Sequence, residues 1–223
     1  MLLKEIMASL LTELEQKARI LDEVQASFRR VILFSKQAVM AIHRHDLTDA
    51  ESKLNEAETL LRKLETSVAA SPDMRGGATR TAYQEYAEAK VLLTSVKEEG
   101  FLSPEEIGVP TIPYILGLAD AIGEFRRTAV DGLRRGDIGK AENYLQLMED
   151  VYQELLPIQD FYPLISELRR KMDVARHLIE LTFSDVSSES HRDSLERALR
   201  LLEKRIKVNE GEDRPKQDTE RGS

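Results

Sequence analysis

The chain has no cysteine and no tryptophan, and its aromatic residues are limited to six phenylalanines and six tyrosines. Without cysteine it cannot form disulfides or thiolate metal sites, which is compatible with a reducing compartment. The scarcity of aromatics argues against base stacking as the main mode of nucleic-acid recognition. No apolar run approaches the roughly 20 residues of a membrane span, and the first residues lack the pattern of a signal peptide. We therefore expect a cytoplasmic protein without membrane contact.

Proline and glycine are also sparse, with 7 and 11 residues in a chain of 223. Leucine, alanine and charged residues dominate, and no window alternates apolar and polar residues long enough to demand a strand. The net charge of −8 argues against indiscriminate nucleic-acid binding but leaves room for a local basic surface. This composition predicts an all-α protein.

Apolar residues recur at helical spacing along most of the chain, and the breaks between these stretches predict six or seven helices. The predicted helices cover residues 2–45, 46–68, 79–98, 113–135, 138–155, 164–182 and 188–208, with one extra turn at 103–106. The first would be roughly 60 Å long, so we expect part of it to pack against another subunit. We expect one domain over residues 1–208 and a disordered, charged tail over residues 209–223.

Two acidic residues stand in an otherwise apolar segment. Residues 107–125 carry only two charges, Asp120 and Glu124, which lie one helical turn apart. A buried carboxylate must be paired, protonated or bound to a cation. Gly117 and Gly123 accompany the two acids, and glycine inside a helix costs roughly 1 kcal/mol relative to alanine. The glycines indicate either close approach of another backbone or room left open beside the carboxylates.

The preceding helix offers a second acidic pair, Glu85 and Glu88, at i and i+3. A short loop joins the two helices, so antiparallel packing could bring all four carboxylates together. Oxygen ligands suit Mg²⁺ or Mn²⁺, and such an ion can activate water and stabilise charge on a phosphate. The alternative is that the acids lie on solvated faces or form salt bridges, for example between Glu124 and Arg126 or Arg127. A di-iron bundle is discounted, because no histidine follows a glutamate by three residues.

The acidic segments also carry a family resemblance. Residues 83–89 (YQEYAEA) and 114–127 (YILGLADAIGEFRR) resemble the corresponding segments of the translin family and are closest to its catalytic branch, translin-associated factor X. Residues 28–38 with 42–44, the pair Gly136-Asp137, and residues 168–176 are similar to further parts of the family. The resemblance covers roughly residues 20–182, and its most specific part is the Gly-Leu-Ala-Asp-x3-Glu stretch.

The resemblance implies an all-α, translin-like bundle of six or seven helices that assembles into a hollow, octameric shell. Complexes of this family bind RNA and single-stranded DNA. In the catalytic branch, the acids that match Glu85, Glu88, Asp120 and Glu124 support Mg²⁺-dependent endoribonuclease activity, so their retention implies a catalytic chain. The basic N-terminal extension and the long insertion of the eukaryotic branch are missing here. We therefore expect a compact member of archaeal or prokaryotic type that forms a homo-octamer.

Basic residues on three of the predicted helices could neutralise RNA phosphates. The candidate RNA-binding residues are Arg29, Arg30, Lys36 and Arg127. The predicted function is a Mg²⁺-dependent endoribonuclease, with Mn²⁺ as a possible substitute, that acts on single-stranded or unpaired RNA inside the shell. One alternative is a shell that binds RNA or single-stranded DNA without cutting it. The other is a helical adaptor with no nucleic-acid role.

Overall fold

The computed structural model describes the backbone of residues 3–70 and 77–212, and the side chains of residues 3–64 and 79–205. These ranges contain seven α-helices, one 3₁₀ helix at Leu156–Phe161 and no β-strand. The α-helices are α1 (Leu3–His43), α2 (Leu47–Ala70), α3 (Gly77–Val96), α4 (Pro104–Ile107), α5 (Thr111–Arg134), α6 (Ile138–Leu155) and α7 (Ser166–Glu212). The predicted all-α fold class with a long first helix is confirmed.

Local capping signals explain most helix boundaries. The Asp46 carboxylate accepts the backbone N–H of the third helical residue of α2 at 3.0 Å, and Asp137 does the same for α6 at 3.0 Å. Ser103 begins α4 with a reciprocal capping box. Gly108 and Gly136 follow the ends of α4 and α5 with φ of 67° and 75°, which is the left-handed conformation that glycine adopts without strain.

The centre of the bundle is α5, which packs against α3, α6 and α7, while α1 packs against α2 and α3. The side chains that fill the space between these helices are buried almost completely. The largest of them are Phe28, Leu54, Tyr86, Leu92, Leu116, Ile122, Phe125, Met148 and Leu168. This arrangement places α1, α3 and α7 around the part of α5 that carries the acidic residues.

The predicted break between residues 183 and 187 is wrong, because α7 continues through it. The segment contains serine and aspartate but neither proline nor glycine, so each residue costs the helix only a few tenths of a kcal/mol. Burial of Thr182 and Val186 against the bundle offsets this cost. The helix extends to Glu212, four residues into the predicted tail, and residues 213–223 lie outside the described residues.

The first half of α1 has no buried residue. Every residue from 3 to 23 is exposed, and Val24 is the first to enter the core. Many of the exposed side chains are large and apolar: Leu3, Ile6, Met7, Leu10, Leu11, Leu14, Ile20 and Leu21. The same is true of the later part of α7, where Leu195, Leu199, Leu201 and Leu202 are exposed. Among the described helices, none is long and apolar enough to cross a membrane.

Candidate functional site

The contact between α3 and α5 is unusually close at Gly117. A Cβ atom at this position would lie 2.8 Å from the carbonyl oxygen of Gln84, 2.8 Å from the Cβ of Ala87 and 3.0 Å from the backbone nitrogen of Glu88. No side chain fits such a space, so glycine is required for the two backbones to touch. As a result Glu88 on α3 comes next to Asp120, which lies three residues beyond Gly117 on α5.

The four predicted acids lie together in one cluster around Glu88. Burial, and after it the nearby charges of Asp120, Glu85 and Glu124 in that order, raise the pKa of the Glu88 carboxyl to about 8. The Lys171 ammonium opposes this shift. The structure therefore brings the two predicted pairs together, while their role as metal ligands stays a prediction.

Asp120 is paired with a cation from α7. The Lys171 Nζ donates a hydrogen bond to Oδ1 of Asp120 at 2.5 Å, and the Gln84 side-chain amide donates one to Oδ2 at 2.6 Å. Both oxygens of this carboxylate are thus satisfied. Sequence reasoning predicted neither residue as a partner of Asp120, although Lys171 and Gln84 both lie within the resembling segments 168–176 and 83–89.

Two further acids of the cluster have cationic or imidazole partners from α1. Nε2 of His43 lies 2.5 Å from Oε2 of Glu124, and Lys36 lies 3.4 Å from Glu85. His43 and Lys36 are seven residues apart, which places them on one stripe of α1 facing the cluster. Arg127 is more distant from Glu124, at 3.8 Å. The alternative of salt bridging for Glu124 is therefore realised mainly by a histidine rather than by an arginine.

Glu88 differs from the other three acids. Among the described side chains, none forms a hydrogen bond or ion pair with it, although it is half-buried among carboxylates. Within the same part of the chain, no three acidic or imidazole side chains already surround one point closely enough to hold a metal ion. The chemistry of the donor set still fits a hard divalent cation, because it offers oxygen atoms and an excess of negative charge that a cation would relieve.

Two clefts adjoin α5 near this cluster, and both are lined in part by Gly123. The first has a volume of about 730 Å³ and lies between α3, α5 and α7; we call it the lysine cleft, after Lys171 and Arg170 on its wall beside Asp120. The second has a volume of about 510 Å³, and we call it the arginine cleft. It is lined by His43, Gly123, Arg126, Arg127, Asp131 and Arg134.

Gly123 lines both clefts and leaves space between them. A Cβ atom there would meet only the Cδ1 atom of Leu178, at 3.9 Å, which is an ordinary van der Waals distance. The two alternatives that the sequence left open for these glycines therefore both occur in α5. Gly117 allows close approach of a backbone, and Gly123 leaves room beside the carboxylates.

The four predicted RNA-binding residues do not form one group. Lys36 contacts the acidic cluster, and Arg127 lines the arginine cleft. Arg29 is exposed and lies two turns before Lys36 on the same stripe of α1. Arg30 is elsewhere: its guanidinium lies 5.7 Å from the centre of the Phe34 ring, in a separate groove between α1 and α2. RNA binding by these residues stays a prediction.

Comparison with known proteins decides the family. A sequence profile of the Translin family matches residues 15–180, which is most of the chain and includes all four acids. The chain belongs to the translin family. The predicted resemblance, over roughly residues 20–182, is thereby confirmed.

Relatives of this translin-family chain include an archaeal protein and solved structures. The uncharacterized protein MJ0175 of Methanocaldococcus jannaschii is 32% identical over 186 residues, which is 79% of each chain. AfC3PO, solved alone and as a complex with duplex RNA, is 30% identical with a TM-score of 0.77, over 83% of this chain and 97% of its own. The apo form of NeC3PO is 27% identical with a TM-score of 0.75, over 85% and 98%. The archaeal relative agrees with the expected archaeal-type member.

Proposed function

We propose that this chain is a divalent-metal-dependent endoribonuclease that cuts RNA inside a shell formed by copies of itself. The observation that carries the proposal is the cluster of four carboxylates, in which Asp120 lines the lysine cleft and Glu124 contacts His43 of the arginine cleft. The similarity to AfC3PO, which has been solved with duplex RNA, supports RNA as the ligand. The family membership supports the same assignment.

The four acids Glu85, Glu88, Asp120 and Glu124 would hold Mg²⁺, with Mn²⁺ as a substitute. A cation held there would lower the pKa of a water and stabilise negative charge on a phosphate. The chain's own residues bind and orient the substrate: Lys36 and Arg127 border the cluster and neutralise phosphate charge. Because Lys171 and His43 pair with two of the acids, those carboxylates must exchange these partners to bind a cation.

We propose single-stranded or unpaired RNA as the substrate, with single-stranded DNA as a further ligand. Duplex RNA should be tested beside these ligands, because AfC3PO has been solved with duplex RNA. A cytoplasmic location remains a prediction.

A homo-octamer is the proposed assembly. The exposed apolar side chains in the first half of α1 support self-association, because such a stripe needs a partner to leave water. Light scattering should then give a mass eight times that of the 25.3-kDa chain. A monomer mass across the micromolar range would contradict the shell.

The test of catalysis is cleavage of an end-labelled oligoribonucleotide with Mg²⁺, with Mn²⁺ and with EDTA. We expect the double variant Asp120→Asn/Glu124→Gln to lose at least about 100-fold in rate, as removal of groups that stabilise transition-state charge commonly does. A matched control is Glu142→Gln/Glu154→Gln, which removes two exposed carboxylates from α6. Cleavage at the wild-type rate by the first variant, or equal loss in both, would contradict the catalytic assignment.

A second candidate is a shell that binds RNA without cutting it. It is favoured by the pairing of three of the four acids with Lys171, His43 and Lys36, since these three carboxylates have partners without a metal. Purified protein that binds RNA but leaves it intact with Mg²⁺ and with Mn²⁺ would support this candidate over the enzyme.

A further inference from the structure

Four arginines near the end of α5 look equivalent in the sequence but are not equivalent in the structure. They are Arg126, Arg127, Arg134 and Arg135. Arg126 is fixed to α7, because its guanidinium donates hydrogen bonds to Oγ1 of Thr182 at 2.7 Å and to the carboxylate of Asp185 at 3.0 Å. Arg135 pairs with Asp131, one helical turn before it, at 3.0 Å. These two side chains are engaged within the subunit.

The other two arginines are available to a ligand. Arg127 is 58% exposed, and its only ion pair among the described residues is the long contact of 3.8 Å with Glu124. Arg134 is exposed, and none of the described side chains forms a hydrogen bond or ion pair with it. The two are seven residues apart, so they lie on one face of α5 at a rise of about 10 Å. Both line the arginine cleft.

The charge that remains free in the arginine cleft is positive. Its one acidic residue, Asp131, is already occupied by Arg135 and lies 3.9 Å from Nε2 of His45. His43, at the inner end of the cleft, is bound to Glu124 of the acidic cluster. The cleft therefore presents two exposed guanidinium groups and adjoins the acidic cluster through the contact between His43 and Glu124, which is a suitable arrangement for an anion held beside the proposed centre.

We propose that the arginine cleft binds phosphates of the RNA strand next to the bond that is cut, with Arg127 and Arg134 as the contacts. This inference rests on the proposed function for its place in the reaction. Because Gly123 lines both the arginine cleft and the lysine cleft, and Asp120 lines the lysine cleft, a strand that follows α5 from one cleft to the other would pass the acidic cluster. Arg126 acts as a positioning residue that holds α7 against the wall of the cleft.

Binding is measured without cleavage, with a 2′-O-methyl oligoribonucleotide as probe in EDTA, by fluorescence anisotropy over a range of salt concentrations. We expect Arg134→Ala and Arg127→Ala each to weaken binding by about tenfold, because each removes a charge-assisted hydrogen bond to a phosphate. The slope of log K against log salt should fall by about one for each variant. Arg134→Lys should keep the wild-type salt slope, since the charge remains.

The matched control is the double variant Asp131→Asn/Arg135→Ala, which removes a neighbouring guanidinium together with the carboxylate that pairs with it. It should bind the probe within about twofold of wild type, because the net charge of the cleft does not change. Binding by Arg134→Ala that equals binding by this control would overturn the inference, whether both bind like wild type or both lose binding equally.

The two proposals fail in distinguishable ways. If wild type leaves RNA intact while Arg134→Ala still loses binding, the nuclease is wrong and the phosphate site stands. If wild type cleaves and Arg134→Ala binds like the Asp131→Asn/Arg135→Ala control, the nuclease stands and the site is wrong. Under single-turnover conditions with Mg²⁺, Arg134→Ala should need more enzyme for half-maximal rate and reach the wild-type maximum, as expected for a binding residue.

Discussion

Two glycines six residues apart on α5 mark regions of opposite character. At Gly117 the backbone of α3 is so close that a single methyl group would overlap it, whereas at Gly123 a methyl group would touch only the end of one leucine side chain. The closed region brings Glu88 against Asp120, and the open region joins two clefts beside Glu124. One helix therefore gathers the acids on one side and leaves access to them on the other.

The largest effect expected from breaking this contrast is that of Gly117→Ala. Its Cβ would lie 2.8 Å from the Gln84 carbonyl oxygen, which is backbone and cannot swing away. Overpacking of this kind costs about 1–3 kcal/mol, and the better helix propensity of alanine offsets part of that cost. We expect a loss of about 2 kcal/mol in the free energy of unfolding, measured by urea denaturation at fixed protein concentration. Unchanged stability would show that α3 and α5 can separate freely.

A smaller effect follows from the charge gathered in the closed region. The Glu88 pKa is about 8 in the folded protein against an ordinary value of 4.5, so the proton is held more tightly when folded. The stability gained from this proton is complete below pH 4.5 and is lost as the pH rises toward 8. In EDTA, the free energy of unfolding of Glu88→Gln should therefore rise relative to that of wild type as the pH increases from 4.5 to 8. The expected change is on the order of 1 kcal/mol after allowance for solvent screening.

The measurement is urea denaturation of both proteins at several pH values between 4 and 9. Glu105→Gln, which changes an exposed glutamate in α4, is the control and should follow wild type at every pH. A stability difference between Glu88→Gln and wild type that does not vary with pH would contradict the crowding of the four acids.

The smallest effect is expected at the open glycine. Gly123→Ala should raise the free energy of unfolding by about 0.5–1 kcal/mol, because it improves helix propensity and its Cβ has an ordinary contact of 3.9 Å. Urea denaturation beside Gly117→Ala provides the direct comparison, since the substitution is the same in the same helix. A destabilised Gly123→Ala would show that the room between the two clefts is not available.

Features that depend on neighbouring residues could be predicted from the sequence. Asp137 and Gly136 marked the junction between α5 and α6 because caps act over three or four residues, and the structure has the junction there. The break near residue 185 was wrong for a complementary reason: serine and aspartate weaken a helix only slightly, and burial of Val186 against the bundle decides the outcome. The burial of Val186 depends on how α7 packs, so it could not be predicted from the neighbouring residues in the sequence.

The partners of the acids could not be predicted in the same way. Lys171 reaches Asp120 across 51 residues and His43 reaches Glu124 across 81, so both pairs depend on how whole helices pack. The sequence offered Arg126 and Arg127 as partners of Glu124 because they are near in the chain. Of these, Arg126 turns to α7 instead, since Thr182 and Asp185 offer it two acceptors there.

The uncovered half of α1 has a consequence for amide hydrogen exchange. Most of the stability of a protein helix comes from packing against the rest of the fold, and none of the residues 3–23 is buried against its own chain. In a lone subunit, these amides should take up deuterium almost as fast as an unfolded peptide. Protection of this segment would then report directly that a partner has covered it, independently of any change in the bundle.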